Sequence, residues 1–414
     1  MPNIQTVSGY PALVSRQFRQ SFLRMKNEVL GFKTQATWFI DPVNGNDENL
    51  GDTSGAAIKT WSQVRERLPK GNVSQNTTFT ILNDIPSSDP FDVSDWCPDS
   101  RYVLTFTGTP SIISSGTLTA FTARVASTNT PNQVTDTGRA SWAAYVAGGY
   151  MIKMTSGNAN GYCAYIAKNL GSNAARVSSF YDGVSFTEAV PTTNDTYSII
   201  KLTTVPVWNI GSNGAGRRYV FKNLDFYNSS QTPNYFSANG INFYNCRLYA
   251  TPQIAGFIRY FNCCAEYFQG YGGFALIFAG MCIGIASNAY TEIERGQQFQ
   301  VSDGTLFQSV NVEIIDGGFI RAYDMGVFDS YADGIRMHAF GDLRAEKLWG
   351  SGNAGYGVNT YGSGRVVLNT GVASPSITGT SGDVRLNATT KNWSTLISDG
   401  YTKDTVSSAS VGPM

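Results

Sequence analysis

Between residues 219 and 286 the chain repeats one short pattern four times. Phe221-Lys222-Asn223-Leu224-Asp225-Phe226 is followed by Phe243-Tyr244-Asn245-Cys246-Arg247-Leu248, then Tyr260-Phe261-Asn262-Cys263-Cys264-Ala265, then Phe278-Ala279-Gly280-Met281-Cys282-Ile283. The pattern is an aromatic residue, any residue, Asn or Gly, a bulky or sulfur-bearing residue, any residue, and an apolar one. The aromatic returns after 22, 17 and 18 residues. These intervals are too short for a helix-pair repeat, and no leucine-rich consensus accompanies them. One turn of a parallel β-solenoid per repeat accommodates them. Side chains alternate along a strand, so the bulky residue and the apolar one two places on share the inward face. Coils stack about 4.8 Å apart, which turns equivalent positions into columns. The expected columns are Phe221/Phe243/Tyr260/Phe278 and, facing inward, Leu224/Cys246/Cys263/Met281. Asn and Gly share a column because a sharp bend between strands needs a residue tolerant of the left-handed region.

This column resembles the asparagine ladder of right-handed parallel β-helices of the pectate-lyase-like superfamily. A second feature points the same way. Trp38-Phe39-Ile40 reads as a strand, Asp41-Pro42-Val43-Asn44-Gly45-Asn46-Asp47 and Leu50-Gly51-Asp52-Thr53 as a turn-rich loop, and Ala57-Ile58-Lys59-Thr60-Trp61 as the lead into a short helix through Val64 and Leu68, ended by Pro69. This order looks like the opening module of many β-helix proteins, phage tail spikes among them, where it implies a cover over the first coil's pairing edge. The acidic and amide residues of the loop have calcium-ligand chemistry, but the EF-hand spacing is absent and turn chemistry accounts for them. No metal and no cofactor is expected.

The fold class expected is therefore all-β: a right-handed parallel β-helix with an N-terminal helical arm and an antiparallel β insertion. Solenoids grow by stacking, so 414 residues need not mean several globular cores. Charged residues are only 14%, with 43 Gly, 22 Tyr and 24 Phe, a balance that suits turns and strands rather than a helical enzyme. Thirty basic residues offset thirty acidic ones, which leaves no net field to recruit nucleic acid or an anionic membrane. With one His and no CxxC spacing among six Cys, zinc is not indicated, and the thiols of the repeat act as small hydrophobes.

The expected organisation is a helical attachment arm at 1–35, the opening module and first coils at 36–115, the insertion at 116–206, the main solenoid at 207–370, and terminal strands and a tail at 371–414. In the arm, Val14, Phe18, Phe22, Met25 and Val29 form one apolar stripe at helical spacing. In the insertion, Tyr150 to Met154, Ala164 to Ala167 and Tyr197 to Leu202 alternate between the turn signals 157–161 and 193–195. Residues 1–9 are polar, and Arg16, Arg19, Arg24 and Lys26 interrupt the apolar positions beyond them, so no signal peptide and no membrane span is expected.

Chemistry on a solenoid belongs on an exposed lateral face. Acidic residues concentrate in 313–346 (Glu313, Asp316, Asp324, Asp329, Asp333, Asp342, Glu346), with Arg321, Arg336, His338 and Arg344 among them. Were the chain an enzyme, Asp316, Asp342, Arg336 and His338 would be its candidates. Paired carboxylates would serve glycoside hydrolysis, and a carboxylate–arginine pair would serve a polysaccharide lyase. No spacing here is diagnostic, and solvated surface ion pairs account for the same residues. Glycan contact without catalysis is expected instead from Tyr331, Trp349, Tyr356 and Tyr361, aromatic residues set among polar ones. The resemblance, the stripe and the lack of a signal peptide imply a structural protein of a phage particle: a tail, baseplate or capsid appendage. Phe18, Phe22, Met25 and Val29 would dock other virion proteins, and host polysaccharide would be the external partner. A polysaccharide depolymerase and a component of a phage-derived injection device are the alternatives. The stripe's 4-3-4 spacing and the neutral flanks suit a homotrimer. Two heptads are too few to hold one alone, so oligomerisation is expected within the assembled particle.

Overall fold

Short segments with a two-residue period build most of the regular structure. Thr77–Ile81 buries every second residue, and Leu104–Gly108 and Ile241–Tyr244 do the same, as strands with one face on a core must. In the computed structural model these strands stack in parallel into a β-solenoid of about nine turns. The structure describes residues 36–412 apart from 69–70, 74, 94–95, 99–101, 126–127, 147–148, 183–186, 207, 210–217, 227–239, 251–256, 272–273, 279–281, 284–288, 295–297, 302–304, 309, 315–317, 323–324, 339, 362–363, 369–376, 388–393, 399–402 and 407–409. The arm residues Phe18, Phe22, Met25 and Val29 lie outside the described residues, and among the latter no helix is long and apolar enough to cross a membrane.

The solenoid has three parallel ladders. The first runs through thirteen strands from Thr37–Ile40 to Ser410–Gly412. The second and third are joined by the strand Cys264–Tyr271, whose start pairs with Cys282–Ile283 and whose end pairs with Ala289–Glu294. Each later coil visits the ladders in turn: Phe319–Ala322, Met325–Phe328 and Ile335–Met337 are succeeded by Gly341–Ala345, Leu348–Asn353 and Tyr356–Tyr361.

Inside, Phe79, Phe106, Phe221, Phe243 and Tyr260 stand in register. Their rings stack at centroid spacings of 4.9, 5.2, 5.2 and 5.5 Å. The column thus begins two coils before the repeated stretch. It does not end on Phe278, because Tyr260 pairs with Ile277 and Phe278 pairs with Phe261. Register follows the backbone ladder and the buried face, and a one-residue slip would turn the whole strand inside out, so the aromatic match at 278 gives way. For the same reason Phe340-Gly341-Asp342, which matches the start of the pattern with Asp in the Asn place, is no further copy: Ala345 continues the inner column through Ala322, and Asp342 faces outward.

The asparagine column is present where it is described. Asn223, Asn245 and Asn262 have φ of 55°, 49° and 49°. Asn245 Nδ2 donates to Asn223 Oδ1 at 3.2 Å, and Asn262 Nδ2 to Asn245 Oδ1 at 2.9 Å. Gly280 and Met281 lie outside the described residues. Leu224, Cys246 and Cys263 are fully buried in the solenoid core. Cys264 points the other way, as alternation requires, yet it too is buried, because the insertion covers that outer face.

The insertion is an antiparallel sheet ordered Ser111–Thr117, Thr196–Lys201, Tyr150–Met154, Cys163–Asn169, Ala174–Val177, Gln133–Thr135, Ala120–Thr122. Its first strand takes up 111–113, expected in the solenoid, because Ser111 and Ile112 pair with Lys201 and Ile200 and, past a bulge, Ser114 pairs with Ile199. The expected turns carry Gly157, Gly161 and Asn194 at positive φ. Trp142, Ile152, Ile166 and Tyr197 help form its own core. A second apolar layer (Met151, Cys163, Tyr165, Ala167, Ile200, Leu202) packs on Cys264, Phe328 and Trp349 of the solenoid. Asn262 Nδ2 also donates to the Cys163 carbonyl at 3.0 Å, and Asp329 accepts from both Lys168 and Arg176 at 2.8 Å, so polar contacts pin the same interface.

At the amino-terminal end, the helix Trp61–Arg67, capped by Thr60, sets the fully buried Trp61 against Phe79, Phe91, Trp96 and Phe106. Two of the loop's acids are occupied by the chain itself: Asp41 accepts from the Val43 and Asn44 amides, and Asp47 from those of Lys59 and Thr60.

Candidate functional site

The outer face of the third ladder carries a densely connected polar group. Within it Val312, Ile335, Val358 and Val384 face the core. Alternation therefore turns Glu313, Arg336, Asn359 and Arg385, the next residue along each strand, to the outer face. The hub is Asp333, 4% exposed, at the end of the loop 329–334. Its Oδ2 accepts from Arg336 Nε at 3.0 Å, Asn359 Nδ2 at 3.1 Å and the Tyr361 hydroxyl at 3.1 Å. Its Oδ1 accepts from the Tyr356 amide at 2.8 Å. The Tyr361 hydroxyl in turn accepts from Asn359 Nδ2 at 2.9 Å, so it both gives and receives. Burial first, and then the Asp333 carboxylate, raise the Tyr361 phenol above its ordinary range. Hydrogen bonding to Asp333 and its charge raise Arg336 further, against the opposing effect of burial.

Around this hub lie exposed rings. Tyr361 is 42% exposed and stacks on His338 at 5.5 Å with 15° between planes. Arg336 lies 5.7 Å from the same Tyr361 centroid. Tyr331, two residues before Asp333, is 52% exposed. Phe340, two after His338, is 73% exposed at a φ of 61°. A bulky residue held in the left-handed region with its ring in solvent is costly in conformation and in hydration, a combination that clusters at functional sites. In the sequence Phe340 matches an inward member of the repeat, and that likeness hides it.

The residues singled out from sequence therefore divide. Arg336, His338, Tyr356 and Tyr361 come together with Asp333, and Tyr331 sits on the adjoining loop. Asp342 lies on the first ladder, paired with Arg344 at 2.8 Å, and Asp316 lies outside the described residues. Trp349 is a correction. It is fully buried against Phe328, 5.1 Å away, beneath the insertion, where no glycan reaches it. A Trp among polar residues reads as exposed until the covering sheet is known. Among the described residues no cluster of His, Cys, Asp and Glu could hold a metal ion.

No family model matches the chain, and no curated protein matches it. Solved structures similar to it include the GH136 lacto-N-biosidase from Eubacterium ramulus, at 9% identity and a TM-score of 0.27, over 96% of this chain and 71% of that one. XylC in complex with xylose matches at 9% identity and a TM-score of 0.24, over 80% and 69%. The tailspike protein gp49 from Pseudomonas phage LKA1 matches at 11% identity and a TM-score of 0.20, over 87% and 77%.

Proposed function

We propose that the outer face of the third ladder binds a glycan, and that the protein is a non-enzymatic structural component of a phage-type particle that carries this face to a host surface. The observation that carries the reading is the parallel Tyr361–His338 ring pair, flanked by exposed Tyr331 and Phe340. Rings of this kind present apolar faces to the C–H side of a sugar while their polar edges bond its hydroxyls. The hydrogen bonds of Asp333 hold Tyr361 in place beforehand, which lowers the ordering cost of binding.

Binding rather than cleavage is supported by the disposition of Asp333. A carboxylate that is nearly buried and already accepts from four donors positions its neighbours rather than a substrate. A hydrolytic depolymerase of the usual kind needs two carboxyl groups flanking the scissile bond, and Asp342 stands on another ladder with Arg344 as its partner. The stripe Phe18, Phe22, Met25 and Val29 supports a tether to other virion proteins, with oligomerisation in the assembled particle.

The test is to titrate the purified full chain with host surface polysaccharide and to follow polymer length in the same samples. The expected result is binding with unchanged length, weakened about 10-fold by Tyr361→Ala, the loss of one aromatic contact. Shortening of the polymer would replace this reading with the depolymerase. Deleting residues 1–34 is expected to leave glycan binding intact and abolish incorporation into particles; normal incorporation would remove the tether.

A further inference from the structure

We infer that the glycan taken by this face is acidic, and that Arg385 pairs with its anionic substituent; the inference rests on the reading of the face as a glycan site. The outward column of this ladder is Glu313, Arg336, Asn359 and Arg385. Arg336 is neutralised within it, by Asp333 at 3.0 Å and Glu313 at 3.6 Å. Arg385 is not: among the described residues it makes no ion pair and no hydrogen bond, and its buried Nε has no acceptor. Its guanidinium instead lies 5.3 Å over the Tyr356 ring.

A stacked guanidinium is held flat with its N–H fork pre-set, and that fork matches carboxylate, phosphate or sulfate oxygens in a way a neutral hydroxyl does not. The charge also lies close to the ring platform, since it works against burial and Asp333 on the Tyr361 phenol. A sugar stacked at Tyr361 thus has beside it a cation with no ion-pair partner among the described residues. The common chemistry is an anionic group on a sugar ring, from a uronic acid carboxylate, a phosphodiester or a sulfate ester.

The full chain is applied to an array of bacterial surface polysaccharides, each printed native, carboxyl-reduced, dephosphorylated and desulfated. The expected result is that native acidic members bind about 10-fold or more tightly than their neutralised forms, the usual worth of a charge-assisted pair, and the treatment that removes binding names the group. Arg385→Gln, checked for an unchanged circular dichroism spectrum, is expected to lose that excess and keep the affinity for neutralised forms. Tyr361→Ala lowers both. Equal binding of native and neutralised forms, or an acidic preference that survives Arg385→Gln, overturns the inference and leaves the glycan site standing. Failure of every member to bind overturns both.

Discussion

Asn245 offers the sharpest test of what holds the coils together. It sits at a φ of 49°, donates to Asn223 Oδ1 at 3.2 Å and accepts from Asn262 Nδ2 at 2.9 Å. Asn245→Ala removes both side-chain bonds, at about 1 kcal/mol each. It also forces a β-carbon without a compensating amide into the left-handed region, at about 1–2 kcal/mol. The expected loss is about 3–4 kcal/mol. Asn245→Gly forfeits the same bonds but not the backbone conformation, and glycine's extra freedom when unfolded returns about 0.5–1 kcal/mol of that relief. The glycine variant should therefore lose about 2–3 kcal/mol and be more stable than the alanine variant by about 1 kcal/mol. Urea unfolding followed by far-ultraviolet circular dichroism reads both as shifts in midpoint at constant slope. A glycine variant no more stable than the alanine one would refute the backbone argument. Two variants indistinguishable from the parent would refute the ladder as a source of stability.

Three further outcomes are expected. Trp349→Ala should cost about 3–5 kcal/mol in thermal or urea unfolding and leave glycan affinity unchanged; the reverse pattern would put the indole back on the sugar-facing surface. Arg139 donates to the hydroxyls of Tyr197 at 2.8 Å and Ser114 at 3.0 Å and lies 4.8 Å over Trp142. Arg139→Lys keeps the charge but not the planar fork, and should destabilise the insertion by about 2 kcal/mol, seen as an earlier loss of Trp fluorescence. Burial pushes the Cys163 thiol from 9.0 up to about 12. The folded form holds this proton more tightly, so its contribution is fully present below pH 9.0 and is lost as pH rises through about 12. Unfolding temperature should fall over that window, less steeply in Cys163→Ala, and Cys163 should resist alkylation at about pH 8.5, the ordinary thiol range, until the chain unfolds.

The repeat at 221–265 determined the solenoid by itself, because its spacing, its left-handed Asn position and its alternation all serve one local geometry, and each coil meets only its neighbours. The Phe column, the Asn ladder and the inward Cys246 and Cys263 were legible for that reason. The antiparallel strands at 150–154, 163–169 and 196–201 were legible too, since alternation and turn residues are local properties. Much of the candidate site was also readable: Arg336, His338, Tyr331, Tyr356 and Tyr361 all stand out as polar or aromatic residues in one stretch. Their assembly around Asp333 was not. It depends on register between coils 23 to 28 residues apart, and register is fixed by the summed ladder and buried face rather than by any one residue. That is also why Phe278 falls beside its expected column and Asp342 on a different ladder from Arg336. Cys264 and Trp349 show the remaining limit. Both lie on outward faces of solenoid strands, and only the sheet folded over them from a stretch about 60 to 200 residues away in the chain decides that they are core.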